Sequence, residues 1–304
     1  MLAIKNPQAR KLLRNEITKF NREYGEFLNE RYTLSTFDNE AKLVNQRRRT
    51  AIKAANQHAS PILLTSYIGL NSLVDLGVFL TYRPMRRKLL PAKWLGSKRD
   101  ANHFMGEFIL SATNYILATI YLCESGLEWP ARVLLRTVKE LLNIGVVLVS
   151  DPVMMKKYLA LPAINDRKDW YGYFSRPRIT GKLSELNRGF GVPENYLTRW
   201  VSNESKEYSM LSKHAHGSFL ATVLGAYHAP FDEPKRLRYS FYGAASTGIQ
   251  NTLVRLNWEI LYFNLMLWRL VIGRHNFKFS GKQDHWKSVY VLAKLHESLS
   301  MKRA

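Results

Sequence analysis

Cysteine occurs once among the 304 residues, at Cys123. One thiol excludes an internal disulfide framework and any zinc site built from several cysteines of one chain. Acidic residues are few: 24 Asp and Glu stand against 45 Lys and Arg, a formal net charge of +21 at pH 7. Glycine (17) and proline (11) are ordinary in number, which excludes collagen-like and low-complexity classes. Uninterrupted apolar runs are short. Residues 61–82 carry Asp75 and several polar groups, and residues 108–123 are uncharged but number only sixteen. A membrane-spanning helix needs roughly 20 apolar residues, so both read as core helices and no transmembrane segment is expected. Phosphate-cradling GxxxxGK[ST] loops, HExxH, EF-hand and GxSxG patterns do not occur, which leaves most familiar enzyme classes unsupported. No cofactor and no metal are expected.

What is present is a chain able to bury a core, 46% hydrophobic and 12% aromatic. The length fits one large domain or two modest ones. The charge points to anionic partners: nucleic acid first, an acidic protein or an anionic membrane surface after it. With one cysteine and no signal-like segment at its start, the chain is expected in the cytoplasm. The lone Cys123 sits in an apolar stretch and reads as a small buried hydrophobe rather than a nucleophile.

Apolar residues recur at helical spacing nearly throughout. The pattern predicts helices over 5–33, 38–59, 61–82, 101–124, 130–149, 152–161, 193–224, 243–272 and 286–300. Ser60-Pro61 reads as a helix start, and 162–192, rich in aromatic and basic residues with Gly and Pro, as an irregular excursion. No alternating β run stands out. The predicted fold is therefore all-α. The segment 83–100, with two prolines and seven basic residues, reads as a linker. It divides a basic N-terminal helical region (1–95) from a helical bundle domain (96–304). Basic clusters that would contact phosphates are Arg47, Arg48 and Arg49, then Arg86, Arg87 and Lys88, then Lys98 and Arg99.

Two segments are candidates for chemistry. In the first, Arg132, Arg136, Glu140 and Asn143 recur at steps of four and three and share one helix face. They form either an exposed ion-paired stripe or a polar row buried at a helix interface, where each group needs a partner. The second runs from Tyr208 to Ser218. Its His214 and His216 point about 200° apart on a helix and do not suit one metal. Ser209, Ser212 and Lys213 flank His216, whereas His214 has apolar neighbours and reads as a packed histidine. Trp170, Tyr171, Tyr173 and Phe174 either stack on unpaired bases or cap the core.

The pairing of an Ala-Arg-x-Leu-x-Arg-x-x-x-Glu helix (131–140) with a later Tyr-x-x-Leu-Ser-x-x-x-His-Gly-Ser (208–218) resembles the helical DUF5677-type proteins. Those in turn are similar to the wider HEPN superfamily. The resemblance covers about residues 101–273. It implies an antiparallel helical bundle, homodimer formation, and an RNA-binding effector or metal-independent ribonuclease toxin in antiphage defence. It places His216 at the superfamily's catalytic histidine. The superfamily's Arg-x(4–6)-His pattern puts an arginine five to seven residues before the histidine, and it is missing here, since 209–211 are Ser, Met and Leu. Catalysis would therefore draw on Arg136, Arg132, Lys213 and Glu140. Otherwise the chain is a non-catalytic interaction module for nucleic acid or an acidic protein partner.

Overall fold

The computed structural model describes residues 7–28, 31, 33–81, 101–160, 166–215, 225–239, 243–271 and 284–302. The fold is all-α. Among the described residues the helices are α1 (Pro7–Leu28), α2 (Leu34–Thr81), α3 (Ala101–Glu124), α4 (Glu128–Ser150) and α5 (Pro152–Ala160). They continue as α6 (Asp166–Tyr173), α7 (Arg176–Gly189), α8 (Glu194–Ala215), α9 (Thr247–Arg269) and α10 (Asp284–Met301). One antiparallel pair of two-residue strands, β1 (Tyr227–His228) and β2 (Arg238–Tyr239), interrupts them. It is too short to leave an alternating pattern in the sequence.

Two expectations about α2 and α7 are corrected. Pro61 does not start a helix but lies inside α2. An internal proline costs about 3 kcal/mol, yet α2 buries Ala55 and Ala59 before it and Leu63 and Leu70 after it. Packing on both sides carries the helix through. The stretch expected to be irregular holds α6 and α7. Pro177 falls in the first turn of α7, where no N–H partner is needed, and Ile179 and Leu183 bury one stripe.

Residues of α2 from Ala55 to Leu80 share one core with α3, α4 and α9. Over that length the segment placed in a separate N-terminal region packs as part of the bundle. The linker expected at 83–100 lies outside the described residues. Helices α2 and α3 each contain a window long and apolar enough to cross a membrane, 56% and 50% buried in the bundle respectively.

Two glycines set close approaches. At Gly126 the chain turns from α3 into α4 with φ +73°, and a Cβ there would lie 2.6 Å from the Ala244 backbone. At Gly106 a Cβ would meet Gly77 O at 2.7 Å and Thr81 N at 2.9 Å, so α3 and α2 touch backbone to backbone. Gly106→Ala is expected to destabilise the fold by about 1–3 kcal/mol through overpacking. A urea unfolding midpoint equal to wild type would contradict that contact.

Cys123 is fully buried, and burial pushes its thiol well above the usual range. It packs as a small hydrophobe.

Candidate functional site

On α4, Leu135, Val138 and Leu142 form a buried row. Lys139 falls within this row and is only 4% exposed. Its ammonium meets Glu204 Oε1 at 2.8 Å and Glu207 Oε2 at 2.6 Å from α8, and Glu259 Oε1 at 2.9 Å from α9. Arg255 also donates to Glu207. Burial pushes the Glu259 carboxyl up, and the Lys139 charge opposes it. The three carboxylates lie within 4.8 Å of one another, a spacing that would hold a metal ion. Here the Lys139 ammonium bonds to all three and supplies the positive charge itself.

Arg136 extends the network. Its Nε donates to Glu140 Oε1 (3.1 Å), its Nη2 to the Tyr208 hydroxyl (2.6 Å) and its Nη1 to Ser212 Oγ (3.3 Å). Tyr208 and Ser212 are one turn apart on α8, so one guanidinium braces two turns of the neighbouring helix. Burial alone would lower the Arg136 pKa, but Glu140 and Tyr208 outweigh it and hold it raised. The Tyr208 ring lies 4.6 Å from the Arg136 guanidinium carbon and 4.1 Å from that of Arg176. Arg176 Nη2 donates to the Glu204 carbonyl at 2.6 Å. Burial and then nearby Glu140 raise the Tyr208 pKa.

A cavity of about 540 Å³ opens over this network, with Trp170, Tyr171, Phe174 and Asn143 among its lining residues. Pockets for small organic groups run from about 300 to 1,000 Å³. The aromatic cluster divides by burial. Phe174 is 3% exposed and packs edge-on against Tyr158 at 5.2 Å, as core. Trp170 and Tyr171 are 37% and 61% exposed and line the cavity. The Lys157 ammonium lies 3.4 Å from the Tyr173 ring, which does not line it.

The network is electrically balanced although the chain is not. Arg136, Lys139, Arg176 and Arg255 are matched by Glu140, Glu204, Glu207 and Glu259. Arg176 alone of these cations has no carboxylate partner among the described residues.

Of the residues singled out by sequence, Arg136, Glu140 and Asn143 meet at this cavity. Arg132 does not. Glu128, one turn earlier, claims it at 2.5 Å, and its guanidinium lies 5.2 Å over Trp129. Because Glu128 also accepts from Ser246 Oγ at 2.8 Å, Arg132 braces α4 against the start of α9. Lys213 is exposed on α8 and does not line the cavity. Arg47, Arg48 and Arg49 are exposed on α2, outside this site. His216, Arg86, Arg87, Lys88, Lys98 and Arg99 lie outside the described residues.

Sequence reasoning missed Lys139, Arg176, Glu204, Glu207 and Glu259. A signal existed: Lys139 is four residues from Leu135 and three from Leu142, and Glu204 is seven from Leu197 and seven from Leu211. Charges at core-facing positions of several helices imply a buried ionic cluster. Arg176 left no such mark. Comparison with protein-family models, curated proteins and solved structures returned no match for this chain.

Proposed function

We propose that the protein is an RNA-binding effector of the HEPN-like type, which accepts single-stranded RNA at the α4–α8 cavity. The observation that carries this reading is the cavity's makeup. Exposed aromatic rings, Trp170 and Tyr171, stand beside Arg176, which alone of the network cations has no carboxylate partner among the described residues. Rings of this kind stack on unpaired bases, and a guanidinium takes phosphate. The charge of +21, with Arg47, Arg48 and Arg49 exposed on α2, supplies long-range attraction. Arg176→Ala and Trp170→Ala should each weaken binding of a labelled single-stranded RNA about tenfold, as stacking contributes about 1–3 kcal/mol per base. Log affinity should fall with log salt at a slope of about −0.7 per phosphate contact. Unchanged affinity in both variants and across salt would remove the reading.

Cleavage is the further step of the same proposal. His216 would take the 2′-hydroxyl proton or protonate the leaving oxygen, and Arg136 would stabilise the charge developing on phosphate. His216→Ala should then lower cleavage of RNA by about 10²–10⁴-fold, with binding retained and chelators without effect. Cleavage undiminished in this variant would exclude His216 as the acid or base.

A second reading, a non-catalytic module for nucleic acid or an acidic protein partner, is favoured by one observation. The Arg136 guanidinium is already engaged by Glu140, Tyr208 and Ser212. Binding without cleavage in wild type would select it.

A further inference from the structure

Asn143 lines the α4–α8 cavity half-buried, on the same face of α4 as Arg136 and Glu140, yet the ionic network does not engage it. Its carboxamide makes no hydrogen bond among the described residues. Three other asparagines of the helices spend theirs. Asn45 and Asn187 donate to the carbonyl four residues back, at 2.8 and 2.9 Å, and Asn264 donates to Ser72 Oγ at 3.3 Å. Asparagine is a poor helix former, and a half-buried amide without a partner costs free energy. The helix gains nothing from this residue at this place, so the group is available to whatever fills the cavity.

Helix α6 supplies flat surfaces beside it. Trp170 leans on Phe174 and Tyr158, with ring centroids 5.5 and 6.4 Å away. Those contacts fix its plane and leave part of the ring exposed to the cavity. Tyr171, the next residue, is more exposed still and makes no ring contact among the described residues. A planar ligand that stacks here and carries a hydrogen-bond donor beside an acceptor on its edge would satisfy both features at once.

We propose that Asn143 makes this cavity selective for adenine: its Oδ1 accepts from the adenine amino group, its Nδ2 donates to the adjacent ring nitrogen, and the base stacks on Tyr171 and the exposed part of Trp170. The proposal rests on the RNA-binding reading and names the base which that site selects. A carboxamide matches adenine through this pair of hydrogen bonds. Guanine carries a carbonyl oxygen where adenine has its amino group, so Oδ1 would face a second acceptor with no proton between them. Uracil presents a carbonyl oxygen in the same way. Cytosine has the amino group but only one ring, and covers less of the aromatic surface that holds the base. Arg176 keeps its role towards phosphate, so that affinity and base choice are divided between two residues.

The test titrates the full chain with labelled uridine heptamers that carry A, G, C or U at the centre. A fifth strand carries purine there, which is adenine without its amino group. Wild type should bind the adenine strand about tenfold more tightly than the guanine, uracil or purine strand, the discrimination expected of one good bidentate pair. Asn143→Leu, of similar size, should bind the adenine and purine strands alike, because the amino group and the carboxamide act only through each other. Asn143→Asp keeps the acceptor and loses the donor, and should lose the preference too. Thermal melts establish that both variants are folded, and the purine strand tests the same contact in wild type without any substitution. Five strands bound alike by wild type, a preference for another base, or an adenine preference that survives in both variants each overturns the role of Asn143. If Arg176→Ala still weakens every strand in such a case, the RNA-binding reading stands without it. Wild type that binds none of the strands removes both.

Discussion

Lys139→Met is expected to lower the unfolding free energy by about 3–5 kcal/mol, the usual cost of leaving buried charge uncompensated. Three carboxylates, Glu204, Glu207 and Glu259, would lose the ammonium that bonds to each of them. Methionine fills a similar volume, so the loss is electrostatic rather than a cavity. Arg255 reaches only Glu207 in this cluster and cannot replace it. For a domain of this size the melting temperature should fall by roughly 10 °C. Two companion measurements identify the cause. Glu259→Gln added to Lys139→Met should recover part of the loss, because one of the unpaired charges is removed. The deficit should also shrink on acidification, as the raised Glu259 carboxyl protonates first. A Lys139→Met protein within about 1 kcal/mol of wild type would mean that the carboxylates are hydrated rather than buried.

Acid should destabilise the fold through His296. The ring is fully buried on α10. It fills the space over Gly69 of α2, where a Cβ would lie 2.8 Å from its Cδ2 and Nε2. Burial pushes its pKa down to about 4. Nε2 lies 3.4 Å from Ser300 Oγ, and Nδ1 is buried without a partner among the described residues. A depressed pKa means that the folded state rejects the proton. The stability is complete above the unfolded-state value near 6.5 and is lost as pH falls towards 4. The loss attributable to this group is about 2 kcal/mol at pH 5 and about 3 kcal/mol at pH 4. Urea unfolding of wild type and His296→Gln at several pH values isolates it, since other groups titrate alike in both proteins. The wild-type curve should fall more steeply below pH 6.5. Parallel curves would show that His296 is solvated in the folded state.

The helical elements were legible because their signal is local. The apolar spacing of α3, α4 and α9 is written in consecutive residues, and so is the turn at Gly126, where the left-handed backbone favours glycine. The Asp151 side chain accepts from the Val153 N–H at 2.9 Å, so the short helix α5 begins where Ser-Asp-Pro announces it. Errors arose where a local breaker met non-local packing. Pro61 reads as a helix start and lies instead inside α2, whereas Pro177 reads as part of an irregular stretch and lies instead in the first turn of α7. The first is overridden by burial on both sides of α2, and the second falls in a first turn that needs no N–H.

The candidate site was half legible. Arg136, Glu140 and Asn143 share a face by helix geometry alone, and their convergence on one cavity follows from that face meeting α8. The spacing said nothing about Arg132, which shares the face but is taken by Glu128. Nor could it show that Arg176, far from either motif, stands over Tyr208. By itself the sequence determined the helical class, the basic charge, the single inert thiol and the polar row on α4, all consequences of composition or of contacts within a few residues. The tertiary structure decided which charges are neutralised and which remain available to a ligand. Pairing of Lys139 with Glu204, Glu207 and Glu259 depends on separations of some sixty to one hundred and twenty residues. Only the packing of helices against one another brings such distant groups within hydrogen-bonding reach, and burial there sets the strength of their charges.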